Sequence, residues 1–185
     1  MKKIACIGDS LTYGHGSKTT SYPTAMQELL GNEYEIKNFG VNGACISGDL
    51  PYVSLSVYQT SAAFQPDIVV IMLGTNDAKE YNWDEAAFAE GFAAFVEYYQ
   101  NLSSEPNVYV VTSPRIDTDT DWLDYEVLQN KIVPLQKEIA AQHGCTVINM
   151  NAATADVPKS YYNDGVHFTD EGYRFIAETI ANTIR

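Results

Sequence analysis

Lys3-Ile4-Ala5-Cys6-Ile7-Gly8-Asp9-Ser10 is a short apolar run that stops abruptly in glycine, aspartate and serine. Its apolar residues do not alternate with polar ones, so the stretch reads as a strand covered on both faces, the condition of a parallel sheet. Gly8 marks a sharp backbone turn, which delivers Ser10 just past the strand end. In a doubly wound α/β sheet, ligands bind outside the carboxyl ends of the strands, so Ser10 stands where chemistry would take place. Asp9 and Ser10 are also preferred helix caps, and taken alone that simpler role is the favoured one.

Working outward, four further β-type segments alternate with helical ones: Tyr34 to Asn38, Asp67 to Leu73, Asn107 to Thr112 and Cys145 to Asn149. Helices are expected over Tyr22 to Leu30, Ser54 to Phe64, Trp83 to Leu102, Tyr125 to His143 and Thr169 to Ile184. This alternation is that of a five-stranded parallel sheet with helices on both faces. Ile68-Val69-Val70-Ile71-Met72-Leu73 is apolar throughout and belongs at the centre of that sheet. Pro134 falls inside the fourth helical pattern, which predicts a kink or a late start there, while Gly31 and Gly144 sit where helices stop.

Every loop after a strand carries a chemically capable side chain, and in a parallel sheet these loops share one edge. They are Gly8-Asp9-Ser10, Asn38-Phe39-Gly40-Val41-Asn42-Gly43, Gly74-Thr75-Asn76-Asp77, Ser113-Pro114-Arg115, and a longer one holding Asn163-Asp164-Gly165-Val166-His167. A serine hydroxyl attacks only if a base takes its proton, and histidine suits that task. His143 reads as a helix C-terminal residue, and His15 has no carboxylate at a telling distance. His167 follows Asp164 by three residues, a separation of roughly 5–6 Å between Cβ atoms on a helical turn, so Asp164 can orient its ring toward Ser10. Acyl transfer also needs donors for a developing oxyanion, and the Ser10 N–H, the Gly43 N–H and the Asn76 side-chain amide are candidates. Each of these residues has a plain structural alternative, as cap or turn residue, so the weight lies in their coincidence.

In order and spacing four of these blocks, Gly8-Asp9-Ser10, Asn38-x-Gly40-x-x-Gly43, Gly74-Thr75-Asn76-Asp77 and Asp164-Gly165-Val166-His167, resemble the diagnostic blocks of the GDSL or SGNH hydrolases, and the resemblance runs from residue 4 to about residue 180. It implies a three-layer α/β/α sandwich of flavodoxin-like type and a serine esterase that needs no cofactor and no metal. Ser10 would be the nucleophile, His167 the base, Asp164 its orienting partner, and Ser10, Gly43 and Asn76 the oxyanion donors. Two departures stand out. Phe168 follows the histidine where many members carry proline, and Gly48 in Ile46-Ser47-Gly48-Asp49 is a second candidate for the oxyanion glycine. Gly43 is preferred because Asn38-x-Gly40 leads into it directly from the strand.

Composition bounds the partners. The 185 residues, 45% hydrophobic, read as one domain spanning 1–185 with one good core. With 24 acidic and 11 basic residues the net charge is -13, and no segment clusters lysine and arginine, so nucleic acid and anionic membranes are poor partners. A small neutral ester is the better substrate, with Arg115 as a local basic spot. Three cysteines, Cys6, Cys45 and Cys145, lack C-x-x-C spacing and argue against disulfides and zinc. No apolar leader precedes the first strand, from which a cytoplasmic location is expected. Asp117-Thr118-Asp119-Thr120-Asp121 begins like a calcium loop, but Trp122 and Leu128 occupy its glycine and glutamate positions. That loop and Trp122 can still wall a cleft. With no long apolar insertion to form an acyl tunnel, the expected ester is a short one, and the resemblance, to a family whose compact members include carbohydrate acetylesterases, implies acetyl on a carbohydrate or other small alcohol. The alternatives are a longer-chain lysophospholipase or thioesterase, and a non-enzymatic flavodoxin-like binding domain.

Overall fold

The computed structural model describes residues 1–185. Its five strands are β1 (Lys2–Gly8), β2 (Tyr34–Gly40), β3 (Ile68–Met72), β4 (Asn107–Val111) and β5 (Thr146–Ile148). All pair in parallel, in the order β2-β1-β3-β4-β5. This is the flavodoxin-like order, and its direction reverses between β1 and β3, the place where such sheets open a crevice. Gly8 lies opposite both Gly40 and Met72, so the loops after β1, β2 and β3 leave the sheet side by side.

Eight α-helical segments lie between the strands or, for the last two, after β5: α1 (Ser10–Tyr13), α2 (Tyr22–Leu30), α3 (Ser56–Ala63), α4 (Glu85–Gln100), α5 (Tyr125–Val127), α6 (Val133–Gln142), α7 (Met150–Ala153) and α8 (Asp170–Ile184). The two-residue period of a strand divides the core into two layers. Ala5, Ile7, Val69 and Ile71 face a cluster that includes Phe88, Phe92 and Phe95 of α4 and Ile139 of α6. Ile4, Cys6, Ile68, Val70 and Met72 face the opposite cluster, with Met26 of α2 and Ile176 and Ile180 of α8. The result is the expected three-layer sandwich.

The helices form where the sequence caps and patterns them. Asp84 accepts from the Ala87 N–H at the start of α4, and the buried Phe88, Phe92, Phe95, Val96 and Tyr99 recur with helical spacing. Each such phenylalanine contributes about 1.5–3 kcal/mol through burial. Thr169 caps α8 in the same way, accepting from the Gly172 N–H.

Most boundaries lie within two residues of those expected. The fourth helical stretch is different: a π-helical turn over Leu128–Ile132 separates α5 from α6, and Pro134 sits in the first turn of α6. Pro134 donates no hydrogen bond and crowds the preceding turn, and the widened π turn accommodates it without ending the helix. The segments α1 and α7 were not expected, because four residues are too few to show a helical period. No helix is long and apolar enough to cross a membrane.

Candidate active site

Gly8 makes the first strand end usable. A Cβ there would stand 2.1 Å from Thr12 Oγ1 and 2.3 Å from the Met72 carbonyl, so only glycine lets the chain fold straight from β1 into α1. Asp9 caps that turn, its Oδ1 accepting from the Leu11 N–H at 2.9 Å. Ser10 is the first residue of α1 and is 8% exposed. Its hydroxyl lies 2.8 Å from His167 Nε2.

His167 is brought there by a turn whose geometry differs from the helical one expected. Asp164 Oδ1 accepts from the Val166 and His167 N–H groups at 3.0 and 2.7 Å, an Asx turn, and Gly165 takes φ +85° within it. Asp164 Oδ2 is left for the ring, 2.7 Å from His167 Nδ1. One carboxylate thus shapes the turn with one oxygen and holds the imidazole with the other. Burial would raise the Asp164 carboxyl, but the hydrogen bonds from the His167 ring and the two backbone N–H groups outweigh it and hold the group below its ordinary value. Ionised Asp164 keeps the proton of His167 on Nδ1, so Nε2 accepts from the Ser10 hydroxyl.

Gly43 and Asn76 line the same cleft of about 270 Å³ as Ser10, His15, Asn42, Lys79, Trp122 and His167. Asn76 Nδ2 donates to the Ala44 carbonyl at 3.0 Å, which fixes the amide and leaves its second N–H for the cleft. Gly48 is placed elsewhere: a Cβ on it would strike the Asn82 side chain at 2.1 Å, and it is absent from the cleft wall. Its want of a side chain serves packing against Asn82.

Two features of the site were not legible as functional. Asp77 is fully buried, and its carboxylate accepts from the Ile46 and Ser47 N–H groups and from the Ser47 hydroxyl. It ties the loop that contains Gly43 to the turn that carries Asn76. Burial pushes its carboxyl up to about 6, against the pull of those donors. Lys79 reaches the cleft wall from the turn after Asn76; nothing in the sequence marks it.

The remaining candidates are distributed around the cleft. Trp122 stacks on the His167 ring with centroids 6.0 Å apart and planes 18° apart, and His15 meets that ring edge-on at 4.5 Å. The acidic loop supports the turn of Asp164, since the Asp117 N–H donates to the Gly165 carbonyl at 2.7 Å. Arg115 turns away, its Nη1 donating to the Tyr125 hydroxyl, and lines a separate cavity with Lys159 and Tyr162. His143 lies at the end of α6, 3.8 Å from Glu97. The three cysteines are unpaired, and no group of three or more His, Cys, Asp or Glu side chains is placed to hold a metal ion.

Comparison with known proteins gives the same architecture. A curated acetylxylan esterase of Xylanibacter ruminicola is 30% identical over 206 aligned positions, which take in 99% of this chain and 43% of the relative. The chain thus spans somewhat less than half of that protein. The solved lipase/acylhydrolase from Enterococcus faecalis superposes with a TM-score of 0.84 at 25% identity, covering 100% of this chain and 95% of that one. A carbohydrate acetylesterase family member from Sinorhizobium meliloti shares the fold with a TM-score of 0.79 at 22% identity, covering 100% of this chain and 98% of that one. The sequence pattern of the GDSL-like lipase/acylhydrolase family matches residues 6–175, nearly the whole sheet with its strand-end loops, and this chain belongs to that family.

Proposed function

We propose that the chain is a serine esterase that hydrolyses short acyl esters, acetyl above all, of a carbohydrate, and that residues 1–185 act as one catalytic domain. The observation that carries this reading is the unbroken line from Ser10 Oγ through His167 to Asp164, at 2.8 and 2.7 Å, opening into a cleft that also holds Gly43 and Asn76. His167 Nε2 takes the Ser10 proton as Oγ bonds to the ester carbonyl carbon, and the carbonyl oxygen becomes negative. The N–H groups of Ser10 and Gly43 and the free N–H of Asn76 receive that charge. His167 then gives its proton to the leaving sugar oxygen, and the acyl group remains on Ser10. Water, deprotonated by the same Nε2, releases the acid.

The small cleft, walled by His15, Trp122 and Lys79, supports a short acyl group. The carbohydrate part rests on the acetylxylan esterase to which the chain is 30% identical. The test is hydrolysis of p-nitrophenyl acetate by the purified chain and by Ser10→Ala, with fluorophosphonate labelling of both. The parent is expected to turn over and to be labelled on Ser10, and the variant to do neither; a variant as active as the parent removes Ser10 from the mechanism. A chain-length series peaking at octanoate or beyond would replace the acetyl reading with a long-acyl one.

A further inference from the structure

We infer that the groove beside the cleft, walled by Tyr81 and Trp122, binds a sugar ring next to the acetylated one, so that the substrate is an acetylated oligosaccharide rather than a free monosaccharide ester. The inference rests on the esterase reading above. Lys79 and Trp122 line both the catalytic cleft and a groove of about 450 Å³ bounded by Glu80, Tyr81, Asp121, Leu123 and Asp124, so the groove adjoins the cleft across these two side chains. Tyr81 is 73% exposed and Trp122 44% exposed, although most large hydrophobic side chains in this chain are buried. Exposed aromatic faces at the mouth of a site mark a binding surface, and a flat ring with apolar C–H faces and equatorial hydroxyls suits them.

The polar lining selects among occupants. Glu80, Asp121 and Asp124 offer carboxylate acceptors to sugar hydroxyls, and Lys79 offers donors. A long alkyl chain laid in the same groove would strip water from those carboxylates without pairing them, which is costly. An anionic polymer would meet like charge. The groove therefore takes the neutral, hydroxyl-rich alcohol side of the ester, and the acyl group stays in the cleft.

The two platforms are held relative to each other before substrate arrives. Tyr81 follows the 3-10 turn Thr75–Ala78 that carries Asn76, and Trp122 lies on the loop after β4. The Asp124 N–H donates to the Ala78 carbonyl at 2.8 Å and joins those loops through their backbones. Lys79 Nζ sits 5.7 Å from the centre of the Tyr81 ring and 3.8 Å from Asp49 Oδ2. A sugar ring seated on this surface thus has a defined direction relative to Ser10.

Tyr81 is the residue to change, because Trp122 also stacks on His167. kcat/KM is measured for Tyr81→Ala, Tyr81→Phe and the parent with p-nitrophenyl acetate, acetylated xylose and acetylated xylotetraose. Tyr81→Ala is expected to lower the xylotetraose value about tenfold relative to p-nitrophenyl acetate, through KM, with Tyr81→Phe close to the parent. Equal losses on all substrates, or none on any, overturn the subsite. A parent that cleaves p-nitrophenyl acetate but prefers acetylated xylose to the oligosaccharide overturns it too and leaves the esterase reading standing. Failure on every ester removes the esterase reading itself.

Discussion

Asp9→Asn is expected to remove a pH dependence of stability that the parent owes to one buried carboxylate. Asp9 is 1% exposed; Oδ1 accepts from the Leu11 N–H, while Oδ2 is buried without a partner. Burial first, and the nearby charge of Asp77 with it, pushes the carboxyl from 3.8 up to about 7, against the Leu11 N–H and Lys79. The folded chain therefore holds the Asp9 proton more tightly than the unfolded chain. The sign follows from linkage: this group's contribution is fully present below about pH 4 and is lost as pH rises through about 7. At 1.36 kcal/mol per pK unit, stability falls by roughly 2–3 kcal/mol between pH 5 and pH 8 from this group alone. Asparagine keeps the capping oxygen and cannot ionise, so the variant lacks that fall. Urea unfolding of both proteins at the two pH values, with equal m-values, measures the difference. Parallel pH profiles, or a parent that gains on the variant as pH rises, would refute the reasoning.

Two further outcomes test the site and the core. Asn76→Ala removes the side-chain member of the three proposed oxyanion donors and is expected to lower kcat on p-nitrophenyl acetate by about 10²–10³ with circular dichroism unchanged, whereas a loss confined to KM would argue against an oxyanion role. Phe92→Ala opens the layer between α4 and the sheet, where Phe92 is fully buried and stacks on Phe88 at 5.6 Å, and should cost about 3–5 kcal/mol in denaturant unfolding.

The architecture was readable because its signals are local. Unbroken apolar runs identified β1 and β3, Gly31 and Gly144 marked helix ends, and the alternation of strand and helix required a parallel sheet. The short segments α1 and α7 and the π turn before Pro134 escaped, since they are set by how the chain must turn to pack rather than by any period. Asp164 and His167 could be paired from their spacing, but the helical turn expected between them is an Asx turn with Gly165 at positive φ. Three residues of separation fit both, and in the structure the Asx turn is accompanied by hydrogen bonds from the Asn163 N–H to the His167 carbonyl and from the Asp117 N–H to the Gly165 carbonyl.

The chain's own pattern thus determined the sheet, its helices, and the edge on which Ser10, Gly43, Asn76, Asp164 and His167 would gather. The tertiary structure alone decided which side chains touch there. It set Ser10 Oγ at 2.8 Å from His167 Nε2, moved Gly48 away beneath Asn82, turned Arg115 from the cleft, and laid Trp122 over His167. It also buried Asp9 and Asp77 and raised both carboxyls. Contacts between residues far apart in sequence depend on how two faces of the sheet are filled, and burial of a charge depends on every atom around it, which no short stretch of sequence records.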